Sequence, residues 1–265
     1  MKYFSAYFAL LLAAGALSAN RAAAVDWKRI EPGFEFAKYE LGEVPAVIRP
    51  EVYLLKFDPK FYSFLPVAAE ATGEDKPPAA DVRTLTRKVG GVAGINANFF
   101  DEKGEPLGLL IVDSTQAHKL HRGGRVLTGI FAIRSSGEPL IAHRDSFRAD
   151  GVAMAIQAGP RLVENGKPVD VSAEDDSSRR SGIAITKNNQ VILYATVLRF
   201  PGATLANIQT MLLDPTLGVD QALNLDGGGS SQLFIESFAT LAGETFISGG
   251  DPVPVGIVVK RKAAP

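Results

Sequence analysis

The chain has no cysteine among its 265 residues. Thiol catalysis, disulfides and thiolate metal sites are therefore excluded, and the redox compartment is left open. Histidine is scarce. His118 and His121 are three apart in a loop-like stretch, and His143, the third and last, does not complete a zinc spacing. No G-x-S-x-G nucleophile elbow occurs. No polybasic block is present and the formal net charge is −1, which argues against nucleic acid or an anionic membrane surface as partner. Nothing in the chain calls for a cofactor, and no resident metal is expected.

What is present suits a globular protein. Hydrophobic residues make up 46% of the chain, enough for a sizeable core. Lys2 is followed by an almost wholly apolar or small run over residues 4–17, and Ala22-Ala23-Ala24 precedes Val25. That pattern predicts a secretory signal peptide over residues 1–24, too short for a comfortable membrane span. An uncleaved anchor helix is the alternative. With no cysteine near the cleavage site, a lipid anchor is not expected. The mature chain, residues 25–265, is read as a single domain, periplasmic or secreted, without stable membrane insertion.

Strand signals outnumber helix signals. Residues 51–57 are rich in branched and aromatic side chains and stop at Asp58-Pro59. Residues 92–95, 108–113, 151–158, 182–186, 191–197, 222–225 and 253–259 read as further strands. Residues 129–133 and 139–142 flank a Ser135-Ser136-Gly137 turn as a hairpin. Residues 70–80, 114–128 and 172–180 read as loops. Asp81 caps a helix with Val82, Leu85 and Val89 on one face, halted by Gly90-Gly91. Thr204 caps a second, whose stripe is Leu205, Ile208, Met211 and Leu212, ended by Asp214-Pro215. The expected class is α+β: a mixed, mainly antiparallel twisted sheet with a few helices.

The stretch with the most chemistry is Asn224-Leu225-Asp226-Gly227-Gly228-Gly229-Ser230-Ser231. It reads as strand, tight glycine turn, strand. Three glycines allow backbone amides to converge, and with Ser230 and Ser231 they suit a phosphate or another oxyanion. Asp226 is then a general base, nucleophile or metal ligand beside it. The plainer alternative is a glycine hairpin that Asp226 merely caps. Arg179-Arg180 precedes the strand at 182–186, where a guanidinium suits bidentate recognition of phosphate or carboxylate. The order helix, short strand, Asn-containing turn occurs twice, ending at Asn96-Ala97-Asn98 and at Asn224-Leu225-Asp226. Were the two strands neighbours in one sheet, Asn96, Asn98, Asn224 and Asp226 would share a cleft.

Ile95-Asn96-Ala97-Asn98-Phe99-Phe100 with Gly108, then Gly159-Pro160-Arg161-Leu162, Arg180-Ser181-Gly182 and the Asn224–Ser231 motif occur in that order. Together they resemble the phosphodiester glycosidase family, over roughly residues 50–260. Three positions depart from its pattern: Ala97 and Asn98 stand where the family has Gly-Gly after Asn96, and Ala184 where it has glycine. The resemblance implies an exported hydrolase that cleaves a glycosyl phosphodiester in envelope or exopolysaccharide material. Its partner is then a small molecule or glycan carrying phosphate. Arg180, the Gly227, Gly228 and Gly229 amides and Ser230 would hold phosphoryl oxygens, with Asn98, Ser231 and Gly159 also at the substrate. Asp226 would activate water or attack the anomeric carbon, and Asn96 would orient sugar or phosphate. Asp101 and Glu164 are the candidates for a second carboxylate. The alternative is a non-catalytic binder of phosphorylated glycans, and a third reading is a structural partner in polysaccharide export.

Overall fold

A computed structural model describes residues 25–42, 49–70, 77–171, 176–198, 200, 202–237 and 243–263. The apolar leader over residues 1–24 lies outside the described residues, as do 71–76 of the proline-rich loop and 172–175 of the polar loop.

In chain order, β1 (Lys28–Glu31), β2 (Phe34–Glu40), β3 (Glu51–Phe57) and β4 (Tyr62–Ala68) precede helix α1 (Val82–Lys88). Next come β5 (Ala93–Asn96), β6 (Leu110–Val112), β7 (Thr115–His118), β8 (Gly129–Arg134), β9 (Pro139–His143) and β10 (Val152–Ala158). Then β11 (Arg161–Glu164), β12 (Lys167–Pro168), β13 (Ser181–Thr186) and β14 (Val191–Thr196) lead to helix α2 (Leu205–Leu212). The last strands are β15 (Val219–Asn224), β16 (Leu233–Ile235), β17 (Thr245–Ile247) and β18 (Val255–Arg261).

They form three sheets: an eight-stranded one, β1-β2-β3-β14-β13-β15-β11-β12, and two of five strands, β7-β6-β10-β8-β9 and β17-β16-β5-β18-β4. Every pairing among the described strands is antiparallel. The sheet-rich α+β class is thus what the chain adopts.

One apolar cluster draws side chains from all three sheets, among them Phe57 and Leu193, Phe131 and Ile156, Ile95 and Ile257. Aromatic rings bridge the sheets. Phe57 stacks on Phe34 at 4.4 Å between centroids and meets Phe64 edge-on at 6.2 Å, and Phe64 meets Phe131 at 6.2 Å. Such offset and edge contacts add to the area the rings bury. β13 and β14 are buried at every position. Their inner side chains join that cluster. Their outer ones, Ala184, Ile192 and Tyr194, lie under the Leu205, Ile208, Met211 and Leu212 stripe of α2. Continuous apolar runs are what a strand covered on both faces requires. Thr204 and Asn207 form a reciprocal capping box at the start of α2. Asp81 caps α1 through the Thr84 amide at 2.7 Å, and Val82 and Leu85 pack on Phe234 and Val258. Among the described residues, no helix is long and apolar enough to cross a membrane.

Three sequence expectations change. The glycine stretch is not a hairpin: β15 lies in the eight-stranded sheet and β16 in a five-stranded one, so residues 225–232 carry the chain between sheets. The two strands with Asn-containing ends, β5 and β15, are likewise in different sheets. And the 114–128 loop contains β7, an exposed edge strand paired with β6. Alternation tells which face of a strand is apolar. It does not tell which sheet the strand joins.

Phe57→Ala removes the ring that links two sheets within the aromatic chain. We expect a loss of about 3–5 kcal/mol of unfolding free energy, read as a lower urea midpoint.

Candidate active site

The crossing segment is fixed through the backbone of Asp226. Its carbonyl accepts from Asn96 Nδ2 at 2.8 Å and from Ser181 Oγ at 3.0 Å. Asn96 ends β5 in one sheet, and Ser181 opens β13 in another. The Leu225 amide donates to the Ser181 carbonyl at 2.9 Å, and the Asp226 amide to the Ala97 carbonyl at 3.4 Å. Asn96 Oδ1 accepts from the Gln232 amide at 3.0 Å, so one wholly buried side chain grips both ends of the crossing. The Asn96–Asp226 meeting expected from the sequence therefore occurs, but between sheets. Asn96 is a positioning residue here: its amide group is engaged with backbone, not turned toward a sugar or phosphate.

The Asp226 carboxylate lies half-buried on the glycine turn. Its Oδ1 accepts from the Gly227 amide at 3.0 Å, and the Ser230 side chain hydrogen-bonds to it. Burial pushes its proton affinity up, to a pKa of about 6. The Ser230 and Gly227 bonds act the other way, and the charge of Asp251 adds to the rise.

The glycines have separate reasons. Gly228 takes φ +59° at the head of a 3-10 turn, Gly228–Ser230, a left-handed conformation that favours glycine. At Gly229 a Cβ would lie 1.8 Å from Asp251 Oδ2, so only glycine lets that carboxylate rest on the turn. The expected convergence of three amides on an oxyanion is not what forms. The Gly227 amide is taken by Asp226, and the Gly228 amide donates to the Arg179 carbonyl at 3.0 Å. Fixing the turn uses these donors internally.

Arg180 does reach this turn. Its Nη1 lies 3.7 Å from where a Cβ on Gly227 would be. Its Nε donates to the Ala203 carbonyl at 3.0 Å and its Nη2 to the Asp176 carbonyl at 2.6 Å, which hold the guanidinium in place. Arg179 Nη1 donates to the Ser248 carbonyl.

Four other expected contact residues sit elsewhere or are sealed. Asn98 is 3% exposed and its Nδ2 donates to the Leu109 and Gln157 carbonyls, at 3.2 and 3.1 Å. It belongs to a buried polar knot around Gln157, whose amide group also satisfies Leu109, His121 and Leu127. Gly159 presses on the Val126 carbonyl, and its own carbonyl accepts from Asn224 Nδ2 at 3.0 Å. It locks the end of β15. Ser231 is fully buried and its amide closes the turn onto the Gly228 carbonyl at 3.3 Å. Ser230 is nearly buried and reaches the Asp226 carboxylate, not an open surface.

Neither expected second carboxylate is at the turn. Asp101 Oδ1 caps its own loop, accepting from the Lys103 and Glu105 amides at 2.8 and 3.0 Å. Glu164 pairs with Arg161 at the end of β11 away from Asp226. The acid that is there, Asp251, went unremarked in the sequence. Its only local signal is a Gly249-Gly250-Asp251-Pro252 turn, which reads as any surface loop. Among the described residues, no group of three or more His, Asp or Glu side chains is gathered as a metal site. An open groove of about 480 Å³, lined by Lys60, Ser136, Asn189 and Lys262, shares no residue with the glycine turn. It lies beyond the Thr186 end of β13, the opposite end from Ser181.

No curated protein matches this chain. Its structure is similar to that of a hypothetical protein from Synechocystis, with a TM-score of 0.64 and 18% identity over 91% of this chain; the match spans 64% of the Synechocystis chain. It is also similar to the catalytic domain of zebrafish N-acetylglucosamine-1-phosphodiester alpha-N-acetylglucosaminidase, auto-inhibited by its pro-peptide. There the TM-score is 0.63, with 18% identity over 91% of this chain and 87% of that one. At these identities the likeness is one of fold. The sequence itself matches the phosphodiester glycosidase family model over residues 90–260, a span that contains Asn96, Arg180, Asp226 and Asp251. On that match the chain belongs to the phosphodiester glycosidase family, a family of hydrolases.

Proposed function

We propose that this chain hydrolyses the bond between an anomeric carbon and the oxygen of a phosphodiester, with Asp226 as the general acid. One observation carries this reading: a carboxyl group that keeps its proton to about pH 6 sits on the same turn that Arg180 faces. The guanidinium suits the phosphoryl charge, in a geometry held by two backbone carbonyls. The protonated carboxyl suits the leaving oxygen, which acquires charge as the C–O bond breaks. Water completes the reaction, giving a free sugar and a phosphomonoester. We place the protein in the periplasm or outside the cell, since residues 1–24 have the composition of a secretory leader. The substrate is then a phosphorylated glycan or glycoconjugate of the envelope or of exopolysaccharide.

The test is turnover of a panel of glycosyl phosphodiesters, starting with the methyl phosphodiester of N-acetylglucosamine 1-phosphate. The expected result is release of free sugar. Binding without release by the unmutated protein would leave the non-catalytic reading instead. The groups acting on the Asp226 carboxylate are Ser230, the Gly227 amide and Asp251, and Arg180 lies at the neighbouring Gly227. An acid that must be protonated is competent below its pKa and lost above it. kcat/KM should therefore fall as pH rises through about 6.

Asp226→Asn should lower kcat by about 100-fold or more and yet stabilise the fold at neutral pH. The raised pKa means that the unfolded chain ionises first as pH rises from about 4 to about 6, so the wild type loses stability across that window. Thermal melts should show the variant more stable at pH 7.5, by up to about 2 kcal/mol after allowance for partial exposure. The difference should vanish below pH 4.

Arg180→Ala should weaken inhibition by inorganic phosphate about 10- to 100-fold, the cost of a lost charged hydrogen bond. An unchanged inhibition constant removes Arg180 from the phosphate site.

A further inference from the structure

Asp251 is seated on the glycine turn by its backbone. Its amide donates to the Gly229 carbonyl at 3.0 Å, and its carbonyl accepts from Gln232 Nε2 at 2.7 Å. Its carboxylate then lies against Gly229, at a distance no side chain at that position would tolerate. The Asp226 carboxylate is held at the next residue by Ser230. Two acids from distant parts of the chain thus meet consecutive residues of one turn, whose Cα atoms are about 3.8 Å apart across a trans peptide. Their surroundings differ. Asp226 is half-buried among hydrogen bonds, and Asp251 faces solvent. The charged groups beside the pair are Arg180, at Gly227, and Arg179, tied to the Ser248 carbonyl.

We infer that Asp251 is the second carboxylate of the reaction, the base that takes a proton from the water attacking the anomeric carbon. The inference rests on the hydrolase reading above. Atoms balance within the pair. The water oxygen bonds to the anomeric carbon as the bond from that carbon to the phosphate oxygen breaks. The proton of Asp226 goes to the departing oxygen, and a proton of the water goes to Asp251. Exchange with solvent then resets both acids. Two carboxylates in unlike surroundings, one retaining its proton and one open to water, is the arrangement by which paired acids divide the roles of acid and base. It also accounts for Gly229, since any side chain there would push Asp251 off the turn.

The experiment uses the full chain with the methyl phosphodiester of N-acetylglucosamine 1-phosphate, or whichever phosphodiester the panel shows to be turned over. Asp251→Asn should lower kcat by about 100-fold or more, the usual worth of a positioned base, with KM changed by less than about threefold. Asp251→Ala with added azide should regain turnover and yield the glycosyl azide, which a merely structural role would not produce. Asp251→Glu, which keeps the charge and lengthens the arm, should retain part of the activity. Melting temperatures of all three report folding, which the side chain of Asp251 is not expected to govern. Wild-type turnover with an undiminished Asp251→Asn variant overturns this inference and leaves the hydrolase reading standing. So does a folded, inactive Asp251→Ala variant that azide does not rescue. Absence of wild-type turnover on every phosphodiester of the panel overturns both.

Discussion

A single backbone carbonyl, that of Asp226, is where two sheets are tied. It accepts from Asn96 at the end of β5 and from Ser181 at the start of β13. Without those donors the crossing segment would bring an unsatisfied carbonyl into the region where the sheets meet, at a cost of about 1–3 kcal/mol. With them, the residue that carries the carboxylate is fixed at its main chain, and the side chain has little left to choose. Precision at the acid thus comes from polar groups that never face a ligand. Asn96, Ser181 and Gln232 make the turn, and the turn presents Asp226.

The same economy explains why several polar residues near the motif are sealed. Asn98, Asn224 and Gln157 spend their side-chain amides on strand-end and loop carbonyls. Three sheets that end against one another leave backbone donors and acceptors unpaired, and buried groups of that kind must be satisfied. Polar residues that look like a site's rim in sequence are in good part the mortar of that junction. What is left at the surface of the turn is small: Asp226, Asp251 and the guanidinium of Arg180.

That residue set has a consistent electrostatic logic. Burial and a neighbouring acid raise the proton affinity of Asp226, and Ser230 and the Gly227 amide limit the rise. The carboxylate is held at some expense to stability, which is how strained or unfavourable groups tend to be distributed at working sites. Glycine permits it in two different ways, a left-handed φ at Gly228 and bare space for a second acid at Gly229, and the backbone amide of Gly227 holds the carboxylate.

Much of the fold was legible in the sequence. Helix caps at Asp81 and Thr204, the stripes they start and the 51–57 and 182–186 strands are local devices, and local propensity is enough to read them. So was the place of Asp226 at the head of a tight glycine turn, because three glycines after a buried strand require an explanation. The division into three sheets was not, since an alternating pattern is compatible with any sheet that has a vacant edge. Nor was Asp251. The sequence by itself determined the class of the fold, the ends of its helices and the acid on the glycine turn, because these depend on near neighbours. Tertiary structure alone decided that β15 and β16 part company, that Asn96 meets Asp226 across sheets, and that Asp251 lies on Gly229. Those contacts join residues remote along the chain, and only the packing of sheet on sheet brings them within reach.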